Sequence, residues 1–467
     1  MHHNRLTAHE KAMHSDFLSA DRNTLYLLPP SVQDWLPVNH LARFVVDIVA
    51  QLDLTPLRDA YAGRGCKAYD PEMLLSLLFY GYATGTFSSR KLELATYESI
   101  AVRYITGNSH PDHDTIANFR KRFLAELKPF FIQILTLAHE MNILKIGKIS
   151  IDGTKIKANA SKHQALSWGH ACKLEKQLKA EVDSLLRQAE QADQSTIPDG
   201  MSIPEELERR EKRLEAIARA KLEIERRAEE RYEKEKAEHE KKLAERERKS
   251  QKSGKKPGGK PPKAPEPGVK DRDQVNLTDE ESRIMPASGG EFMQGYNAQA
   301  SVDVDTMLIV GVHVTQHTND KLELRPALDE LNKLPAKLGT LTEAIADAGY
   351  FSEKNVELCE KETITPYIAA SRESHNQSPA DRFSEPEPIA KDADVVTKMK
   401  HRLKTKDGKA VYAKRKCTVE PVFGVIKSVL GFRQFLLRGI ENVRGEWDLV
   451  SIAWNLKRLN VLRQIMA

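Results

Sequence analysis

Lys148-Ile149-Ser150-Ile151-Asp152-Gly153-Thr154-Lys155-Ile156-Lys157 alternates apolar and polar residues through Ile149 and Ile151, then through Thr154 and Ile156. The alternation predicts a β-strand with an aspartate at its centre. Strand interiors are poor in Asp. A carboxylate there needs a hydrogen-bond donor, a cation or a metal. Gly153 lets a ligand or another backbone come close. The competing reading is an ordinary strand-end or turn Asp, so the rest of the chain has to supply the partners.

The chain has 467 residues, enough for a sizeable core in more than one domain. Its 40% hydrophobic and 30% charged residues read as a soluble globular protein with highly polar segments. No apolar run is long enough for a transmembrane helix. Met1-His2-His3-Asn4-Arg5 is not followed by an apolar stretch, so no signal peptide is expected. Cys66, Cys172, Cys359 and Cys417 stand singly. That spacing argues against a zinc site or a disulfide framework and fits a reducing cytoplasm. The formal charge of +5 permits a polyanionic partner without demonstrating one.

Up to about Leu144 the pattern is helical. Val45, Val46, Ile48, Val49, Leu52 and Leu54 mark one apolar face. Asp70 suits an N-cap and Pro71 a helix start. Met73 to Tyr80 is apolar nearly all round, as in a buried helix. A glycine-marked break follows at Gly81 to Phe87, and Ser88-Ser89 opens the next helix with a hydroxyl cap. This helix–turn–helix succession suits DNA contact or an ordinary helical bundle. His110, Asp112, His113 and Asp114 invite a metal-site reading, but their spacing matches no familiar ligand set, and Asp114 suits an N-cap. From Lys173 to Lys249 the chain is charged and helical, with Leu207, Leu214 and Ile217 as a short seam that Lys221 and Ala228 do not extend well. A solvated helical hairpin or weak coiled coil is expected. Ser250 to Val269 reads as a basic Pro/Gly-rich tether.

Regular structure resumes near Asn276. Gly295 to Asp303 and Leu308 to Val314 read as an antiparallel hairpin. Leu322 to Leu334 reads as largely helical, with Pro326 in its first turn. Ala344-Ile345-Ala346 is a buried strand with Asp347 at its carboxyl end, where open α/β sheets place ligands. Thr363 to Ala369 is a further strand and Ser371 to Ile389 a polar loop. Val419 to Leu430 is expected to be a helix carrying Glu420 and Lys427, with Pro421 in its first turn. Trp447 to Leu462 closes the chain as an amphipathic helix. The expected organisation is a helical domain over 1–145, the first core strand over 146–163, the charged insertion and linker over 164–275, and the rest of the core over 276–467.

The core is therefore α/β, a mixed sheet flanked by helices. If the first and fourth strands pair, Asp152 and Asp347 sit side by side, and Glu420 reaches them from a helix. Three such carboxylates call for a cation. Hard oxygen ligands suit Mg²⁺ or Mn²⁺, and a pair of such ions can drive phosphodiester transfer. Glu420 and Lys427 lie two helical turns apart and share a face, so Lys427 can hold a phosphate beside the acids. Tyr412, Arg415 and Lys416 lie just upstream and could hold another. The competing reading for all of these is a surface helix with routine charges.

SIDGTKIKANAS from Ser150, AIADAGYFS from Ala344, CTVEPVFGVIK from Cys417, GYNAQASVD from Gly295 and VTQHTNDKLEL from Val314 resemble the catalytic core of bacterial DDE-type insertion-sequence transposases. YDPEMLLSLLFYGYATGTFSSRKLE from Tyr69 and HPDHDTIANFRKRF from His110 resemble the InsH-type helical N-terminal domain that precedes such cores. The resemblance spans nearly the whole chain except the charged insertion and linker. It implies an RNase H-like core, Mg²⁺ with Mn²⁺ able to substitute, and Asp152, Asp347 and Glu420 as catalytic and metal-binding triad. It also implies binding to double-stranded DNA at terminal inverted repeats, cleavage there, and strand transfer into target DNA. A homodimer in the synaptic complex and a cytoplasmic, nucleoid-associated location without membrane contact follow from it. Glu420 and Lys427 keep the gap of the family's Tyr, Arg, Glu, Lys signature. Arg415 lies one position too far from Glu420, which leaves Arg415 and Lys416 as alternative phosphate clamps. The charged insertion is no part of the minimal core and would suit a dimer or synapsis arm. The competing functional reading is an inactive DNA-binding relic or regulator derived from such an enzyme.

Overall fold

Asp70 and Pro71 start the most buried helix of the N-terminal region. In the computed structural model, which describes residues 17–18, 31–61, 67–190, 202–253, 260–287, 289–370, 385–390 and 393–466, the Asp70 carboxylate accepts the Glu72 N–H at 3.0 Å. Proline loses nothing at a first helical position, where its N–H would be unpaired anyway. Every residue of the helix except Glu72 is buried. The chain divides into two units, residues 1–156 with 296–467, and residues 157–295.

The first unit begins with α1 (Leu41–Val49), α2 (Pro71–Ala83), α3 (Ser89–Glu98), α4 (Ile100–Thr106), α5 (His113–Arg122) and α6 (Leu127–Glu140). Gly85, between α2 and α3, has φ +81°, and a Cβ there would lie 2.6 Å from the Leu430 carbonyl oxygen, so only glycine turns the chain at this point. Ser88 occupies the cap position of α3, but its hydroxyl makes no capping bond. The cap of α5 is Asp112, not Asp114. Asp112 has the extended backbone of a cap and accepts the Thr115 N–H at 2.7 Å, which leaves Asp114 inside the first turn.

The sheet follows, with β1 (Ile146–Lys157), β2 (Phe292–Asp303), β3 (Ile309–Thr315), α7 (Leu324–Asn332), β4 (Gly339–Ala346), α8 (Glu353–Lys361), β5 (Thr365–Ile368), α9 (Val395–Lys404), α10 (Lys406–Gly424) and α11 (Ile440–Met466). The six-stranded sheet runs β5-β4-β1-β2 and then Arg283–Pro286, with β3 also pairing with β2. β1, β4 and β5 run parallel, and β2 and β3 form the expected antiparallel hairpin. This is the mixed, helix-flanked sheet of an RNase H-like core. Ile149, Ile151, Ala344 and Ala346 are fully buried at its centre. Of the polar loop expected over Ser371 to Ile389, residues 371–384 lie outside the described residues, as do Met1 to Arg5 and Cys66.

Helix α11 covers the hairpin and the N-terminal helices together. Its Asn455 amide pairs with both backbone groups of Ile309, at 2.8 Å each, and so satisfies part of the β3 edge. Its Glu446 is fully buried and accepts the Leu436 and Leu437 N–H groups at 2.9 and 3.0 Å. The Tyr82 hydroxyl of α2 donates to Glu446 at 3.2 Å and accepts from Arg120 of α5 at 3.0 Å. A buried carboxylate is tolerated here because three donors converge on it.

The second unit is built on two helices, Trp168–Glu190 and Ile203–Ser253. Their seam joins Ala171 and Leu178 to Ile217, Ala220 and Ile224, over Leu166 and Val275. Ala165–Ser167 pairs antiparallel with Gln274–Asn276 beside the seam. The apolar stripe runs further than the sequence pattern shows. Ala228 is buried, and Lys221 lays its ammonium on Glu175 at 2.8 Å and over the Trp168 ring. A lysine stem covers apolar surface while its head finds a carboxylate. Of the expected tether, Ser253 still belongs to the long helix, residues 254–259 lie outside the described residues, and Val269 packs on the seam. Arg283–Pro286 pairs with Phe292–Gly295. No helix among the described residues is long and apolar enough to cross a membrane.

Candidate active site

The register of β1 against β4 aligns Ile149 with Ala344 and Ile151 with Ala346. The next residue on each strand is an aspartate, so Asp152 and Asp347 leave neighbouring parallel strands at one level. Asp347 caps a short turn, Ala348–Tyr350, and accepts the Gly349 N–H at 2.7 Å. Asp152 accepts the Gly153 N–H at 2.8 Å. Burial, and then the Asp347 charge, push the Asp152 carboxyl up to about 7, against the pull of the Gly153 N–H and Arg415. The Asp347 charge beside it disfavours ionisation of Asp152.

Glu420 comes from α10, and here the local structure differs from expectation. The helix starts at Lys406, where the Thr405 hydroxyl accepts the Gly408 N–H at 3.0 Å, not at Val419. Pro421 therefore lies deep inside the helix. A proline there removes one backbone bond, and the helix widens into a π-turn over Val425–Val429 immediately beyond it. Glu420 is half exposed and takes Arg415 Nη2 at 2.7 Å, while Arg415 Nη1 lies 3.7 Å from Asp152 Oδ2. Arg415 thus bridges the buried acid and the helix acid, and among the described residues its Nε has no hydrogen-bond partner.

Lys427 lies in the π-turn and donates to the Lys155 carbonyl at 2.9 Å. Burial, with Lys155 nearby, lowers its pKa. Lys427 and Arg415 therefore both reach β1, whereas Lys416 is exposed on α10. Tyr412 packs against the cluster of Val356, Met399 and Leu403.

At Gly153 the space a Cβ would fill is taken by side chains. A methyl there would lie 2.1 Å from Gln299 Nε2, 2.6 Å from Asp320 Oδ1 and 2.9 Å from Asn297 Oδ1. Asn297 and Gln299 come from β2, and both donate to Asp320 at 2.7 Å. Lys155 adds a third bond to Asp320 at 3.1 Å. The Tyr350 hydroxyl donates to Gln299 Oε1, and Trp447 Nε1 to the Gln299 carbonyl at 2.9 Å. Sequence reasoning passed over this network. Its signals were the period-two run Asn297, Gln299, Ser301, a polar face on a strand that is buried, and the resemblance of GYNAQASVD and VTQHTNDKLEL, which hold Asn297, Gln299 and Asp320, to the transposase core.

The histidines near α5 are otherwise engaged. His110 stacks on Tyr97 at 3.9 Å, and His113 Nδ1 pairs with Glu93 at 2.8 Å. As their side chains stand, no three His, Cys, Asp or Glu among the described residues are grouped to hold a metal ion. Asp152 and Asp347 nevertheless fit a divalent cation: they are neighbouring hard-oxygen donors, and Asp152 resists ionising without positive charge nearby. Glu420 is linked to Asp152 through Arg415, whose guanidinium carries positive charge between the two acids.

Two family models match the chain. One, described as a transposase domain (DUF772), covers residues 30–122. The other, described as a transposase DDE domain, covers residues 260–456 and so includes Asp347 and Glu420 but not Asp152. No match was found among curated proteins or among solved structures.

Proposed function

The chain belongs to the DDE-type transposases of insertion sequences, and from that premise we propose that Asp152, Asp347 and Glu420 are its catalytic, metal-binding acids. Enzymes of this family act on DNA and generally use a divalent metal; the proposed ion is Mg²⁺, with Mn²⁺ able to replace it. The reaction is cleavage at the terminal inverted repeats, followed by attack of the freed 3′-hydroxyl on target DNA. The carrying observation is the β1–β4 register, from which Asp152 and Asp347 follow at one level.

Asp152, Asp347 and Glu420 would hold a divalent ion, which would supply activation of the attacking oxygen and stabilisation of the leaving one. The chain's own residues supply the rest. Asp152 and Asp347 offer oxygen donors from rigid strands, which hold geometry better than loops. Arg415 neutralises Asp152 and Glu420 in the resting site and is freed for a DNA phosphate once Glu420 turns inward. Lys427 carries an ammonium beside β1, where it suits a second phosphate. Lys416, exposed on the same helix, suits a more distant one. The N-terminal helices bind the element ends, and two copies pair those ends in a synaptic homodimer.

The test is Mg²⁺-dependent nicking of an element-end duplex. Asp152→Asn, Asp347→Asn and Glu420→Gln each abolish nicking while end binding in a gel shift survives. Full activity in any variant removes that residue from the triad. A wild-type protein that binds ends but never nicks them points to the relic.

A further inference from the structure

Asp320 stands outside the three acids, yet more donors converge on it than on any of them among the described residues: Lys155 at 3.1 Å, Asn297 at 2.7 Å and Gln299 at 2.7 Å. The Asn297 and Gln299 side chains are buried, and the Asp320 and Lys155 side chains are only 19% and 17% exposed. Asp320 is also close to the acid pair. A Cβ added at Gly349 would lie 2.9 Å from Asp347 Oδ1 and 3.8 Å from Asp320 Cβ, and the Asp320 charge acts on Asp152. The Gly153 gap lets it in from the side of β1 that also carries Lys155.

We propose that Asp320 is a positioning residue for cation binding, which pairs with the Lys155 ammonium and sets a fixed negative charge beside Asp152 and Asp347. This rests on the reading that Asp152 and Asp347 hold the ion. Asp152 and Lys155 lie on opposite faces of β1, so the ammonium bears on the cation site through its charge, which opposes a divalent cation. A carboxylate with three donors fixes that ammonium, and its own charge adds to the cation's attraction. Asn297 and Gln299 hold Asp320 in one orientation, so the arrangement exists before the ion arrives.

The experiment uses the full-length protein stripped of metal and titrated with Mn²⁺ alone, with free ion followed by electron paramagnetic resonance. Asp320→Asn keeps shape and removes charge, and is expected to weaken Mn²⁺ binding about tenfold. Lys155→Ala added to Asp320→Asn is expected to recover most of that loss, which a purely structural role would not allow. Lys155→Ala alone is expected to bind Mn²⁺ more tightly than wild type, and it decides the matter if Asp320→Asn does not fold. Wild-type affinity in Asp320→Asn, no recovery in the double variant, or weakened binding in Lys155→Ala overturns the proposal. Asp152→Asn separates the two levels. If it leaves Mn²⁺ binding unchanged, the site itself is misread; if it abolishes binding while Asp320→Asn has no effect, only the role of Asp320 falls.

Discussion

Replacing Gly153 with alanine tests how tightly the strand and the network behind it are matched. The new methyl would lie 2.1 Å from Gln299 Nε2, so that amide has to retreat by about 1 Å to reach any real contact distance. It donates to Asp320 at 2.7 Å and to Asn297 at 3.0 Å, and the retreat breaks both bonds. Gln299 is 1% exposed, so water does not replace them. Two buried bonds at about 1 kcal/mol each, with about 1 kcal/mol of crowding, give a loss of about 3 kcal/mol. Asp152 is the preceding residue, and a displacement of about 1 Å in a catalytic group costs on the order of a hundredfold in rate. Urea unfolding measures the first effect and nicking of an element-end duplex the second. Gly147→Ala is the control, because a methyl there meets nothing within 4 Å on the same strand. If Gly153→Ala unfolds at the wild-type urea midpoint and nicks at the wild-type rate, the close fit behind Asp152 is refuted.

Tyr82→Phe deprives Glu446 and Arg120 of a shared partner inside the core and is expected to cost about 1–3 kcal/mol in urea unfolding, with nicking nearly unchanged. Asp448 gives a pH signature. Burial pushes its carboxyl up to about 7, with Lys128 opposing and Glu330 reinforcing the rise. Between about pH 4 and 7 the native protein holds a proton that the unfolded chain has released, so this contribution is present at low pH and is lost as pH rises through 7. Asp448→Asn is expected to narrow the difference in melting temperature between pH 5 and 8; an unchanged difference shows that another group sets it. Arg415→Ala and Lys427→Ala are each expected to reduce the salt dependence of end binding by about one phosphate contact. A slope equal to that of wild type removes the residue from the DNA interface.

Much of the sheet was legible because its signals are local. The alternation around Asp152, the apolar run before Asp347 and the hairpin near Asp305 each lie within a few residues; the hairpin pairs antiparallel across its turn, and the two acid-bearing strands pair in parallel. The start of α10 was not legible. Pro421 looks like a helix-opening proline, and only the π-turn beyond it shows how a helix from Lys406 accommodates it. The role of Asp320 was invisible for another reason. The run Gln316-His317-Thr318-Asn319-Asp320 enters only through the resemblance, with no role for Asp320, because its partner Lys155 lies 165 residues earlier. The seam of the long helices was missed at Lys221, where charge hides an apolar stem. The Arg415 bridge depends on side-chain reach, which spacing alone does not encode.

The central position of β1 has a consequence in time. Its two neighbours, β2 and β4, begin at Phe292 and Gly339, far behind it in the order of synthesis. At about 5–20 residues per second, a ribosome needs on the order of 10–35 s after finishing β1 to deliver β4. Until β2 is delivered both edges of β1 are unpaired, and one edge stays unpaired until β4 follows, open to pairing with other chains. The two long helices between 168 and 253 make mainly local contacts and can fold during the wait. Translation speed across that interval therefore bears on how much of the nascent protein escapes aggregation.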